Sequence, residues 1–221
     1  MTPKTTERYT IAGPAGALEI ARNAPPGAPR GIALVAHPNP VQGGTLDNKV
    51  AQTLARTFHA LGYAVTRFNT RGVGRSEGSF DDGIGETDDA LAALAHARSR
   101  DRAAGDAVHP GSRELPVVLA GFSFGTHVQA RVAQTVAAER LVFVGPAVER
   151  IGSLPLPQDT IVVHGEEDDI VPLFEVLSWA RPRALPIVVF PGCGHFFHGR
   201  LADLQRTITG MWHGRGVAPG A

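Results

Sequence analysis

Between Leu115 and Arg140 the chain reads as an apolar run, Leu115-Pro116-Val117-Val118-Leu119-Ala120. It passes through Gly121-Phe122-Ser123-Phe124-Gly125 and goes straight into a helical pattern from Thr126 to Glu139. That order specifies a strand, a sharp turn and a helix, with a serine at the apex. A serine on such a strained turn is held with its hydroxyl exposed above the sheet edge. The residues two positions away on either side must be small, because the backbone folds back on itself there. Gly121 and Gly125 supply that room. A plain helix N-cap is the competing reading of Ser123, but a cap needs no flanking glycines.

The rest of the chain alternates in the same way. Tyr9 to Ile11 and Ala17 to Ala21 read as an antiparallel edge hairpin around a turn at Gly13 to Gly16. Ile32 to Ala36 is continuously apolar, as in a strand covered on both faces, and Asp47 to Leu61 follows with helical spacing at Val50, Leu54, Phe58 and Leu61. Further strands fall at 63–68, 115–121, 141–144, 160–163 and 186–190, with helices at 86–100, 124–138, 173–180 and 200–212. Strand and helix alternate throughout, so the expected fold class is α/β. It should be a doubly wound, mostly parallel sheet of about eight strands with helices on both faces, in one domain spanning 1–221. The polar or Gly/Pro-rich stretches 102–113 and 214–221 are expected to be mobile.

Two more loops arrive in a telling order. The run Thr160 to Val163 leads into His164-Gly165-Glu166-Glu167-Asp168-Asp169-Ile170-Val171-Pro172, and the run Pro186 to Phe190 leads into Pro191-Gly192-Cys193-Gly194-His195. Serine, carboxylate and imidazole thus each follow the carboxyl end of a buried strand, in the chain order Ser, Asp, His. With these residues in view, the chain resembles the α/β-hydrolase superfamily. More narrowly it resembles small bacterial hydrolases with a His-Pro-x-Pro-x-x-Gly-Gly stretch after the third strand, here His37-Pro38-Asn39-Pro40-Val41-Gln42-Gly43-Gly44. The resemblance covers residues 30 to 213.

A serine hydroxyl is a poor nucleophile at neutral pH and needs an imidazole to take its proton and a carboxylate to orient the imidazole. The candidates are Ser123, His195 and Asp168. His198 is the rival base, but the resemblance places the base directly after the strand and turn, at His195. His127 lies on the nucleophile's own helix and points along its axis. Asp169 is the rival acid; the resemblance implies a Gly-x-x-Asp-x-x-Val-Pro pattern after this strand, which aligns Asp168 with Gly165, Val171 and Pro172. The oxyanion of an acyl transfer needs donors as well. The resemblance implies the N–H of Phe124 for one. The other comes from the loop after the third strand, where Pro38 and Pro40 have no N–H and leave Asn39 and Val41, with Asn39 better placed. Gly43, Gly44 and Asp47 read as turn and helix-cap residues. Phe122, Phe124, Phe196 and Phe197 are candidates for an apolar pocket wall. The loop from Asn69 to Ser76 lacks the residues of a phosphate cradle and reads as structural support. Cys193 reads as a packing residue.

The 21 basic residues balance 21 acidic ones, so there is no excess charge to attract nucleic acid or an anionic membrane. No histidine pair has zinc-ligand spacing and one cysteine cannot build a thiolate site, so neither metal nor cofactor is expected. The single cysteine and a polar start point to a cytoplasmic protein, with oligomeric state open. Larger relatives insert a lid after the sixth strand, yet only Ala147 to Asp159 are available here. The expectation is a lidless serine hydrolase of carboxylesterase type acting on a small acyl substrate with short chains. Thioesters, small amides and peptides use the same machinery, and a non-catalytic module with this fold is the alternative from another class.

Overall fold

The computed structural model describes residues 6–104 and 114–213. The stretches expected to be mobile fall outside these residues, apart from the end of one helix. Eight strands form one sheet: β1 (Glu7–Gly13), β2 (Gly16–Asn23), β3 (Ile32–Ala36), β4 (Ala64–Phe68), β5 (Val117–Phe122), β6 (Arg140–Val144), β7 (Ile161–Gly165) and β8 (Ile187–Phe190). Their spatial order is β1-β2-β4-β3-β5-β6-β7-β8. β1 pairs antiparallel with β2, and β2 with β4, while every pair from β4 to β8 is parallel. The edge hairpin closes at Gly13↔Gly16, as the sequence leads one to expect. The order reverses at β3, with β4 on one side and β5 on the other. In such sheets the crevice at the carboxyl ends beside that reversal is where ligands bind.

Among the described residues six α-helices flank the sheet: α1 (Lys49–Ala60), α2 (Ile84–Ala104), α3 (Phe124–Val132), α4 (Val148–Ile151), α5 (Leu173–Ala180) and α6 (Leu201–His213). The central strands β3 and β5 carry no polar side chain because both of their faces are covered, and successive residues go to opposite sides. Ala33 and Val35 join Val118, Ala120 and Phe122 under Leu54 and Phe58 of α1 and Ile208 and Trp212 of α6. Ile32 and Leu34 join Val117, Leu119 and Phe143 under Leu94 of α2, Val128 of α3 and Val176 of α5. The sheet is therefore doubly wound.

Two local expectations need correction. The cap of α1 is Asn48, whose side chain accepts from Val50 N and Ala51 N, while Asp47 instead pairs with Arg8. An asparagine at that position satisfies two of the orphan N–H groups of the first turn. Helix α3 ends at Val132 rather than 138. Beyond it the chain tightens into turns, with Thr135 Oγ1 donating to Val132 O and Gln134 Nε2 to Ala130 O, so it can return to the sheet where Glu139 N donates to Val117 O. Among the described residues no helix is long and apolar enough to cross a membrane.

Candidate active site

Ser123 sits between β5 and α3 with φ 53° and ψ −123°, a left-handed backbone that non-glycine residues rarely adopt. Surrounding bonds hold it there. Its N–H donates to Val144 O at 3.0 Å, and its carbonyl accepts from Thr126 N at 2.9 Å and from Thr126 Oγ1 at 2.6 Å. The serine side chain makes no capping hydrogen bond, which removes the N-cap reading. A Cβ at Gly121 would come within 2.5 Å of the Gly125 backbone, and a Cβ at Gly125 within 2.4 Å of Ala36 O. Both glycines are thus required by close backbone approach.

Asp168 and His195 are brought together from the loops after β7 and β8. His195 Nδ1 lies 2.6 Å from Asp168 Oδ2, and both side chains are buried. The other oxygen, Oδ1, accepts from Ile170 N at 3.0 Å and Val171 N at 2.8 Å, which fixes the carboxylate plane. Burial pushes the Asp168 carboxyl up, but the His195 and Val171 hydrogen bonds outweigh it and leave the group below the usual carboxylate range. An ionised Asp168 takes the Nδ1 hydrogen of His195 and leaves Nε2 as the free base. The His195 ring lies against Phe122, with centroids 4.9 Å apart. Gly145, with φ 52°, passes so close that an added Cβ would lie 3.2 Å from His195 Cε1. The rivals are elsewhere: Asp169 and His198 are exposed, and His198 stacks on Phe196. His127 is buried against Phe124, where burial lowers its pKa to about 4.

The loop after β3 folds into one turn of 3₁₀ helix, Pro40–Gln42, and accounts for its own N–H groups. Val41 N donates to the Asn39 side chain at 3.1 Å, Gln42 N and Gly44 N to Asn39 O, and Gly43 N to Pro40 O. Val41 N is therefore spent, whereas the Asn39 N–H has no hydrogen-bond partner among the described residues. Phe124 is the first residue of α3, where an N–H has no partner within the helix. His37 anchors this loop from below, with Nδ1–H donating to Pro38 O at 2.7 Å and Nε2 accepting from Thr70 N at 3.1 Å. Burial lowers its pKa to about 4, so it is neutral.

Ser123, Asn39 and Phe124 line one cleft of about 270 Å³. Its remaining walls are Gln42, Ala147, Val148, Glu149, Arg150, Ile170, Val171 and Glu175. Of the aromatic residues expected to form the wall, only Phe124 does so. Phe122 and Phe197 are fully buried, the first beneath His195 and the second against Phe190 in the core. Phe196 is exposed beside His195 but does not line the cleft. Gln42 lines it from the loop after β3, and the other remaining walls come from the segments after β6 and β7; Ile170 and Val171 follow Asp168 closely and could have been suspected on that ground alone. The loop from Asn69 to Ser76 spends its polar groups on the fold. Asn69 accepts from Leu46 N and donates to Glu19, and Ser76 Oγ donates to Asn69 O. Cys193 is buried, and burial raises its thiol pKa.

The sheet, the elbow and the short β6–β7 connection, residues 145–160 with only α4 inside it, define an α/β serine hydrolase without a lid. The chain belongs to the family described as serine aminopeptidase, S33, whose model matches residues 41–176. It is 34% identical to an α/β serine hydrolase homologue from Coxiella burnetii, over 97% of this chain and 99% of that one, with a TM-score of 0.82. It is 32% identical to a lidless α/β serine hydrolase from Xanthomonas campestris, over 99% of each chain, with a TM-score of 0.84. An uncharacterised protein of Rickettsia prowazekii is 29% identical over 213 residues, which is 89% of this chain and 84% of that protein.

Proposed function

We propose that this protein cleaves carboxylic ester-type acyl bonds through an acyl-enzyme. Ser123 attacks the carbonyl carbon, and His195 Nε2 takes the hydroxyl proton and passes it to the leaving alcohol. Asp168 holds the imidazole in the required tautomer, and the N–H groups of Asn39 and Phe124 receive the oxyanion. A water then attacks the acyl-enzyme by the same route in reverse, releasing the acid and restoring Ser123. The observation that carries this reading is the 2.6 Å contact between His195 Nδ1 and a buried, ionised Asp168, set one ring away from the strained Ser123 turn. The substrate is a small acyl compound, the machinery is cofactor-free, and the chain works as one cytoplasmic domain. Its likeness to the His-Pro-x-Pro-x-x-Gly-Gly hydrolases supports the placing of the Asn39 donor.

The test is labelling with a fluorophosphonate probe together with turnover of a nitrophenyl ester. Both should be present in the wild type and absent in Ser123→Ala, whose circular dichroism should be unchanged. An unlabelled, inactive wild type would leave the non-catalytic module standing.

One observation favours a second reading, peptide-bond cleavage of the kind named in the family description. Glu149 and Glu175 line the same cleft as Ser123, and Arg150, which also lines it, is paired with Asp82, so the two glutamates are left to hold a substrate ammonium group. Faster turnover of an aminoacyl nitroanilide than of the matched ester would select it.

A further inference from the structure

A buried hydroxyl needs partners, and that of Thr126 has two. On a residue with no exposed surface, it donates to Ser123 O at 2.6 Å and accepts from Ala147 N at 3.0 Å. The first bond is of an ordinary kind, because a helical threonine readily bonds the carbonyl three or four residues before it, as Thr57 does to Thr53 O in α1. The second is not ordinary, because Ala147 belongs to a different part of the chain. It is the residue before α4 and lines the cleft beside Ser123. One hydroxyl thus ties the Ser123 turn to the cleft wall.

We infer that Thr126 is a positioning residue for the oxyanion donor. The inference rests on the serine hydrolase reading and deepens it. The carbonyl of Ser123 and the N–H of Phe124 belong to one planar trans peptide, so they point in opposite directions and turn together. Thr126 N also donates to Ser123 O, at 2.9 Å, so two donors grip that carbonyl. The peptide plane is thereby held against rotation about the strained Ser123 backbone, and the Phe124 N–H is aimed away from Thr126. Hydrogen bonds to the carbonyl also polarise the peptide, which makes its N–H the stronger donor. Without the hydroxyl only one donor holds Ser123 O, and Ala147 N loses the acceptor that fixes its distance from the Ser123 turn. The benefit falls where negative charge develops on the substrate oxygen, so it acts on kcat rather than on KM.

The experiment compares wild type, Thr126→Val, Thr126→Ser and Thr57→Val. It reads steady-state kinetics on a nitrophenyl ester and the inhibition constant of a trifluoromethyl ketone, which a nucleophilic serine captures as an oxyanion adduct. Thr126→Val keeps the side-chain volume and removes the hydroxyl. It should lower kcat roughly tenfold to hundredfold, leave KM within about twofold, and weaken the ketone by the same factor as kcat/KM. Thr126→Ser restores the hydroxyl and should recover most of both losses. Thr57→Val removes a buried hydroxyl from α1 and should lower stability to urea while kcat and ketone affinity hold. If Thr126→Val does not fold, Thr126→Cys, whose thiol is a weak donor, should show the same parallel loss. Unchanged kcat in the folded variant, a fall in kcat with ketone affinity intact, or a Thr126→Ser as slow as Thr126→Val would overturn the inference. Wild-type fluorophosphonate labelling that Ser123→Ala abolishes would then leave the hydrolase reading standing. A wild type that takes no label and turns over no ester removes that reading and this inference with it.

Discussion

Nε2 of His164 lies 3.6 Å from Oδ2 of Asp168, the same carboxylate oxygen that His195 approaches. It also lies 2.9 Å from Val171 O, and a carbonyl can only accept, so Nε2 carries the hydrogen. Burial lowers the pKa of this fully buried imidazole, so it stays neutral and leaves the charge of Asp168 to His195. By holding the Val171 carbonyl it closes the turn whose N–H groups grip Asp168 Oδ1. His164→Leu, similar in volume but unable to donate, should lower kcat roughly ten- to hundredfold with little change in KM. His164→Gln can still donate to Val171 O and should recover most of the loss; equal defects in both variants would reduce His164 to a packing residue.

The two neighbouring acids should separate cleanly. Asp168→Asn should lower kcat by roughly 10³–10⁴, because an amide favours the wrong imidazole tautomer. Asp169→Asn, at an exposed site, should change it less than about twofold. Steady-state kinetics on a nitrophenyl ester decides, and the opposite ranking would move the acid to Asp169.

The oxyanion assignment can be tested by deleting one hydrogen. Asn39 has φ −51°, close to the value proline imposes, so Asn39→Pro removes the N–H with little backbone strain. It also loses the side-chain bond to Val41 N, and Asn39→Ala controls for that loss. Relative to the alanine variant, Asn39→Pro should cost roughly 10²–10³ in kcat. Matching rates in the two variants would place the second donor elsewhere.

Stability should fall on mild acidification. His37 and His127 each have a folded pKa of about 4, below the ordinary value of 6.5. Between those values the unfolded chain binds a proton that the folded protein refuses, so stability is fully present above 6.5 and is lost as pH falls toward 4. The slope is up to about 1.4 kcal/mol per pH unit for each histidine. Asp168, held below its ordinary value, adds its own loss only at lower pH. Urea unfolding at pH 7, 6 and 5 measures this, and His37→Asn, which can still donate to Pro38 O, should lower the slope by about one proton. A slope unchanged by that substitution would show that His37 does not titrate in this window.

Much of the fold and the site's skeleton is legible in the sequence, for a physical reason. Ser123, Asp168 and His195 each follow a buried strand, and a strand covered on both faces announces itself as an unbroken apolar run. The cleft wall is not legible in this way. Phe122 is next to Ser123 in sequence, but it ends the alternation Val118, Ala120, Phe122 and therefore points into the core with them. Phe196 and Phe197 are neighbours that part company, because Phe197 has φ 53° and turns its ring onto Phe190. Adjacency to a candidate site residue says nothing about facing the same space. Val148, Arg150 and Glu175 reach the cleft only through the paths of the segments after β6 and β7, which no local pattern records.

Gly125 lets α3 settle against the carbonyls of Ala36 and His37, so that an added Cβ would lie within 2.7 Å of either oxygen. The helix that follows Ser123 and the loop bearing Asn39 are therefore joined by main chain at contact distance. Among the described residues only α4 follows β6 before β7, so on the proposed hydrolase reading the site does not wait on the closing of a lid. A site finished before its ligand arrives discriminates only by the quality of the fit, and an open mouth turns little away. On that reading, breadth of substrate rather than stringency is the expected outcome.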